Sequence, residues 1–290
     1  MTRKFVTLDV FTRQRFAGNP LAIVLEAEGL DTAAMQTIAR EFNLPETVFV
    51  FPPKEARHRA RIRIFTPANE LPFAGHPTVG AAIYLGAGKG EIVLEEEVGL
   101  VVCRVEGKAS EGRAEFTLPK LPVQSPGAPS GETIARALSL KESDIGFDGM
   151  SPSRWSAGVE FTFVPLRSLE AMARVKPSGD FDELIGNNAP GRAYLFCKET
   201  ADKLHDFHAR MFAPGMGIPE DPATGSAAAA FAGIAAQGRA DGIHALIVEQ
   251  GYEMKRPSQI ELGFTLERGA MTSATIGGYA VQVGEGAIET

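Results

Sequence analysis

The chain repeats itself at half its length, and this limits its fold more than any other feature. Arg63-Ile64-Phe65-Thr66-Pro67 matches Arg210-Met211-Phe212-Ala213-Pro214. A second motif follows each copy: Gly75-His76-Pro77-Thr78-Val79-Gly80-Ala81-Ala82 in the first half, Glu220-Asp221-Pro222-Ala223-Thr224-Gly225-Ser226-Ala227 in the second. The offset is 147 for the first motif and 145 for the second, which makes the later loop two residues shorter. Ala17-Gly18 and Ala157-Gly158, each ahead of an apolar run, form a fainter pair. Two copies at this spacing specify two similar domains, because a solenoid needs a period of about 20–50 residues. Two similar domains would take a small ligand between them.

Strand and helix patterns alternate in both halves. Phe5–Phe11 and Leu21–Leu25 read as strands around a Phe16–Pro20 turn, and Asp31 starts a helix. Thr47–Phe51 and residues 59–66 are strands, a helix opens at Pro77, and residues 91–118 hold two strands. Residues 119–131, with four prolines, two glycines and two serines, are the linker. An Ala-rich helix runs from Gly225 to about Ala236, and Ala274–Val283 is a strand.

Composition removes several function classes. Of 290 residues 44% are hydrophobic and 22% charged, enough apolar material for two cores. The net charge of -7 suits no nucleic-acid backbone, and the basic cluster Arg57–Arg63 alternates like a solvated strand. No run approaches the ~20 apolar residues of a membrane helix, and no signal peptide is visible, so a cytoplasmic protein is expected. Cys103 and Cys197 each sit in an apolar run and read as buried thiols. The five histidines show no helical HExxH spacing, and His205 and His208 fall in a segment that reads as a strand, so no metal is expected. Gly86-Ala87-Gly88-Lys89-Gly90 follows a helix and lacks the residues of a phosphate loop, so it is a helix end and turn.

Each repeat runs strand, X-Pro, then a helix rich in small residues. Proline fits a first helical turn, whose free N–H groups carry the positive end of the helix dipole and suit a carboxylate. Asp221 has a second reading, as an N-cap ahead of Pro222, although His76 in the matching position is a poorer cap. Glu220 reads as a partner of the helix dipole, and Glu249-Gln250-Gly251 either lines a cleft or turns a strand.

The ordered set of motifs resembles the PhzF (phenazine biosynthesis-like) family. Its parts are Asp9-Val10-Phe11 with Gly18-Asn19-Pro20, Ile38–Asn43, Glu46-Thr47-Val48-Phe49-Val50, Phe65-Thr66-Pro67, and Glu70 to Thr78. Phe212-Ala213-Pro214, Glu220 to Ala227, Glu249-Gln250-Gly251 and Arg256-Pro257-Ser258 complete it. The resemblance implies an α+β, diaminopimelate epimerase-like fold of two pseudo-symmetric domains, each a curled mixed β-sheet around a central α-helix. It implies that the last strand returns to the first domain, giving 1–118 plus 278–290 and 119–277 as domains, and a homodimer. It also implies a cofactor-independent isomerase that moves a proton between carbons of a small carboxylate. In that reading Glu46 is the general acid/base and His76 and Asp221 assist it, while Asn19, Gly75, Thr224, Gly225 and Ser226 hold the substrate. Pro45 stands where family members often carry serine, so the phenazine substrate itself does not follow. Epimerases of the superfamily place two thiols at these helix starts, and this chain has none there. Alternatives are a non-catalytic binding member of the family, or a racemase or lyase using the same cleft.

Overall fold

The computed structural model describes residues 1–88 and 90–290; Lys89, in the glycine-rich turn set aside above, lies outside them. The chain forms two compact units, Met1–Pro119 with Ile276–Thr290, and Lys120–Thr275.

The first unit contains β1 (Thr2–Val10), β2 (Asn19–Val24), α1 (Thr32–Phe42), β3 (Glu46–Phe51), β4 (Ala60–Phe65), β5 (Glu70–Leu71), α2 (Gly75–Gly86), β6 (Gly90–Glu96), β7 (Gly99–Lys108) and β8 (Glu111–Thr117). Strand β1 pairs antiparallel with β2, and β2 runs parallel to β3. The order continues through β4, which is antiparallel to β3 and parallel to β6, and then through β7 to β8. The unit is completed by the far half of the last strand, which pairs with β1 and with β8. The pairings therefore close into a curled mixed sheet.

Helix α2 lies inside it and touches β1, β2, β3, β6, β7 and β8. It has no polar face, and His76, Thr78, Val79, Ala81, Ala82 and Ile83 are all buried. A helix apolar all round belongs in a core. Gly80 marks the closest approach: a Cβ there would stand 2.5 Å from Leu21 Cδ2 and 2.9 Å from Val10 Cγ2. Helix α1 is an outer, amphipathic helix capped by Asp31, which accepts from the Ala34 N–H at 2.8 Å.

The second unit contains β9 (Val123–Ser125), α3 (Gly131–Leu138), β10 (Ser153–Ser156), β11 (Glu160–Pro165), α4 (Leu169–Arg174), α5 (Phe181–Ile185) and β12 (Ala193–Cys197). It continues with β13 (Phe207–Ala213), β14 (Ile218–Asp221), α6 (Gly225–Ala235), β15 (Gly242–Gln250) and β16 (Ser258–Glu267). The final strand β17 (Ala270–Glu289) starts in this unit and ends in the first. Strand β11 is parallel to β12, β12 antiparallel to β13, and β13 parallel to β15, repeating the order of β2, β3, β4 and β6. Helix α6 is buried in its turn, with Phe231 against Phe163, Tyr194, Phe196 and Phe207. Full burial of one such ring is worth about 1.5–3 kcal/mol. Each unit is thus a mixed sheet with a central helix, the α+β architecture expected.

The repeat is real, but its register differs from the one drawn above. Arg63 holds Glu70 through two bonds of 2.6 Å, and Arg210 holds Glu220 at 2.7 and 2.9 Å. Glu70-Leu71-Pro72 therefore corresponds to Glu220-Asp221-Pro222, and Gly75-His76 to Gly225-Ser226. The later loop is longer, not shorter, and the partner of His76 is Ser226, not Asp221. Glu220 and Asp221 end β14, so neither is a cap or first-turn residue of α6, whose N-cap is Thr224. Pro222 lies between strand and helix. The alignment had matched Pro222 to Pro77 because proline suits both a strand end and a first helical turn. Residues 91–118 hold three strands, since the Glu96–Gly99 and Lys108–Glu111 turns each reverse the chain.

Candidate active site

In the first unit Glu46 and His76 meet. Glu46 opens β3 beside Leu21 of the parallel strand β2, and His76 is the second residue of α2. The imidazole Nδ1 stands 3.2 Å from Glu46 Oε2, and the two side chains are 4% and 16% exposed. Burial pushes the His76 pKa down to about 3, against an opposing contact with the backbone of Pro20. The imidazole is neutral near pH 7, so the Glu46–His76 contact is not an ion pair, and the hydrogen bond of the ring goes to the backbone of Pro20. Nε2 is buried with no hydrogen-bond partner among the described residues. Asn19, at the head of β2, is fully buried, and Gly75 is buried as the first residue of α2.

In the second unit Asp221, Thr224 and Gln250 form one cluster. The Thr224 hydroxyl donates to Asp221 Oδ2 at 2.6 Å. Gln250 accepts from the Thr224 N–H at 3.1 Å, and its amide donates to the Asp221 carbonyl at 2.7 Å and to Thr224 Oγ1 at 3.0 Å. The cluster ties the end of β14 to the start of α6. Gly225 is buried and Ser226 half-buried at that start. Sequence reasoning left the role of Gln250 open. Its neighbour Glu249 is fully buried and accepts from His208 at 2.6 Å, His205 at 2.6 Å and the Ala201 N–H at 2.6 Å. The two histidines are thus a carboxylate's partners. Among the described residues no group of three or more candidate ligands could hold a metal ion.

In the corrected register the second-unit equivalent of Glu46 is a residue of another kind. Thr47 faces Phe65, and Ala193 faces Phe212, so the position equivalent to Glu46 is Arg192. The second unit carries no carboxylate there. Neither thiol is exposed: Cys103 and Cys197 are fully buried, and burial pushes Cys197 up to about 12. Position 95–96 shows the opposite relation. Arg61 pairs with Glu95 as His208 pairs with Glu249, which makes Glu96 the counterpart of Gln250. Nothing in the run Glu95-Glu96-Glu97 alone marks Glu96, but comparison with Glu249-Gln250 does.

Residues 8–286 match the family described as phenazine biosynthesis-like protein. The chain belongs to the PhzF family. An uncharacterised isomerase of Mesorhizobium japonicum is 48% identical over 98% of this chain and 98% of its own. Trans-2,3-dihydro-3-hydroxyanthranilate isomerase of Pseudomonas fluorescens is 33% identical, also over 98% of each chain. The crystal structure of a PhzF-family phenazine biosynthesis protein of Bacillus anthracis has a TM-score of 0.90 at 27% identity, covering 100% of both chains. A hydroxyproline epimerase of Agrobacterium vitis, at TM-score 0.59 and 14% identity over 99% of this chain and 92% of its own, shares the fold alone. This PhzF-family chain is an enzyme of the isomerase class. No helix among the described residues is long and apolar enough to cross a membrane.

Proposed function

We propose that the enzyme moves a proton between two carbons of a small carboxylate substrate, without a cofactor, and that Glu46 carries the proton. The observation that carries this reading is the Glu46–His76 contact at 3.2 Å, with the imidazole buried and neutral. As carboxylate, Glu46 removes a proton from a carbon activated by a neighbouring carbonyl or double bond, and then returns it to another carbon. One group suffices because the two transfers are sequential. His76, packed against the Glu46 carboxylate, limits its orientation and steadies charge as the proton leaves.

A two-base racemisation needs a second proton carrier. Arg192 at the position equivalent to Glu46 holds its proton at any working pH, and both cysteines are buried. This favours a single-base shift. For the second unit the proposal is narrower. The Ser226 side chain and the N–H group of Gly225 are suited to bind an anion at the start of α6, with Asp221 and Gln250 fixing Thr224.

The test is proton exchange in heavy water, followed by NMR, on a panel beginning with trans-2,3-dihydro-3-hydroxyanthranilate. Wild type is expected to label one carbon, and Glu46→Gln to slow labelling by about 10²–10⁴-fold. Equal labelling by both proteins would rule Glu46 out as the base. A rise in conjugated absorbance without labelled isomer would favour elimination.

A further inference from the structure

Thr78 poses a problem of hydrogen counting. Its hydroxyl lies 2.8 Å from the Ala74 carbonyl and 2.8 Å from Glu96 Oε1. A hydroxyl owns one hydrogen, and a carbonyl oxygen can only accept. If the Thr78 proton goes to Ala74, an ionised Glu96 faces a lone pair with nothing between. The Ala74 carbonyl also accepts the Thr78 N–H at 3.1 Å, and with the hydroxyl proton on the same carbonyl, Oε1 is paired when Glu96 carries a proton and donates it to Thr78.

The second unit shows a comparable donor order with a group that cannot ionise, on a hydroxyl of Thr224, which corresponds to Ala74 and not to Thr78. Gln250, the counterpart of Glu96, donates its amide N–H to Thr224 Oγ1 at 3.0 Å, and Thr224 passes its own proton to Asp221. The donor order is amide to hydroxyl to carboxylate in one unit and acid to hydroxyl to carbonyl in the other. The surroundings of Glu96 agree. The residue is 8% exposed, and Oε2 is buried with no hydrogen-bond partner among the described residues. Helix α2 presents the neutral Thr78 to it. Strand β7 contributes the buried Cys103 thiol, whose pKa is raised by its own burial and by the charge Glu96 would carry. Glu95, the adjacent carboxylate, is engaged elsewhere, by His58 at 2.7 Å and the Lys54 N–H at 2.9 Å.

We propose that Glu96 is a positioning residue: held as a carboxylic acid, it donates to Thr78 and fixes the first turn of α2, which carries His76 to Glu46. Its importance for turnover rests on the reading of Glu46 and His76 given above, but the hydrogen-bond assignment does not. Burial raises the Glu96 pKa to about 8, with the Thr78 contact opposing, so the acid form persists through neutral pH.

Two substrate-free measurements test it. The infrared difference between wild type and Glu96→Gln should contain a carboxylic-acid carbonyl band at about pH 6 that is gone by about pH 10. Carboxylate bands alone at pH 6 would overturn the assignment. In nitrogen-15 spectra of labelled histidine, the His76 Nδ1–H resonance should keep its position in Glu96→Gln and shift or vanish in Glu96→Ala. An unchanged resonance in Glu96→Ala would overturn the positioning role. Should that variant not fold, Thr78→Val removes the acceptor instead and is read by the same criteria. Because neither spectrum involves turnover, failure of the Glu46 mechanism would leave both outcomes interpretable.

Discussion

His76 ties acid sensitivity to its contact with Glu46. Burial holds its folded pKa at about 3, below the ordinary 6.5 of an imidazole. Its contribution is complete above pH 6.5 and declines as pH falls toward 3, because the unfolded chain binds the proton more readily. His76→Asn should therefore lose less stability than wild type between those pH values, measured by denaturant unfolding at each pH. Glu249 and His208 bracket a different window. Against the cost of burial, bonds from His208, Ala201 and His205 hold Glu249 down to about 2. Against the same cost, Glu249 and Glu253 raise His208 to about 9. The carboxylate's share is lost as pH falls from 4.5 to 2 and the imidazole's as pH rises from 6.5 to 9, so the network is strongest between them. Glu249→Ala would leave two buried imidazoles without their shared carboxylate and should cost about 3–5 kcal/mol. Of these residues, Glu46 and His76 could be singled out from their motifs. Glu96 could not, because its significance lies in a hydrogen count that no spacing reveals.

At the level of elements, α2 is where packing and chemistry meet. Its start carries His76, and its fifth residue beyond that start sits against β1 and β2 with no room for a side chain. Gly80→Val should destabilise the first unit by about 1–3 kcal/mol through overpacking. Loss of proton exchange out of proportion to the fall in melting temperature would show that the helix start had moved. Elements with a strong period are legible directly: β1, β3, β4 and both central helices fall within a few residues of their patterns. Strands β5 and β14 are not, having two and four residues, with Pro219 inside the second. Missing them moved the repeat off register, since Arg63–Glu70 and Arg210–Glu220 span loops of different length. Only the paired strands show which glutamate each arginine holds.

At the scale of the whole molecule, β17 decides how the first unit is finished. Its residues from 280 onward pair with β1 along the whole of that strand, from Val10–Ala280 to Thr2–Glu289. A chain ending at Thr275 should therefore lose protection in β1 and β8 while α6 keeps its own, as read by hydrogen exchange of the corresponding peptides. Strong retention in β1 would mean that the remaining strands close without β17. The order of residues then sets an order of events on the ribosome. Strands β1 to β8 emerge early but cannot be completed until Lys120–Thr275 has been made, roughly 8–30 s later at ordinary elongation rates. At the end of that interval β1 and β8 each still lack a neighbour they will later have, while the second unit has nearly all of its own. The half of the protein that is made first is thus the half that matures last.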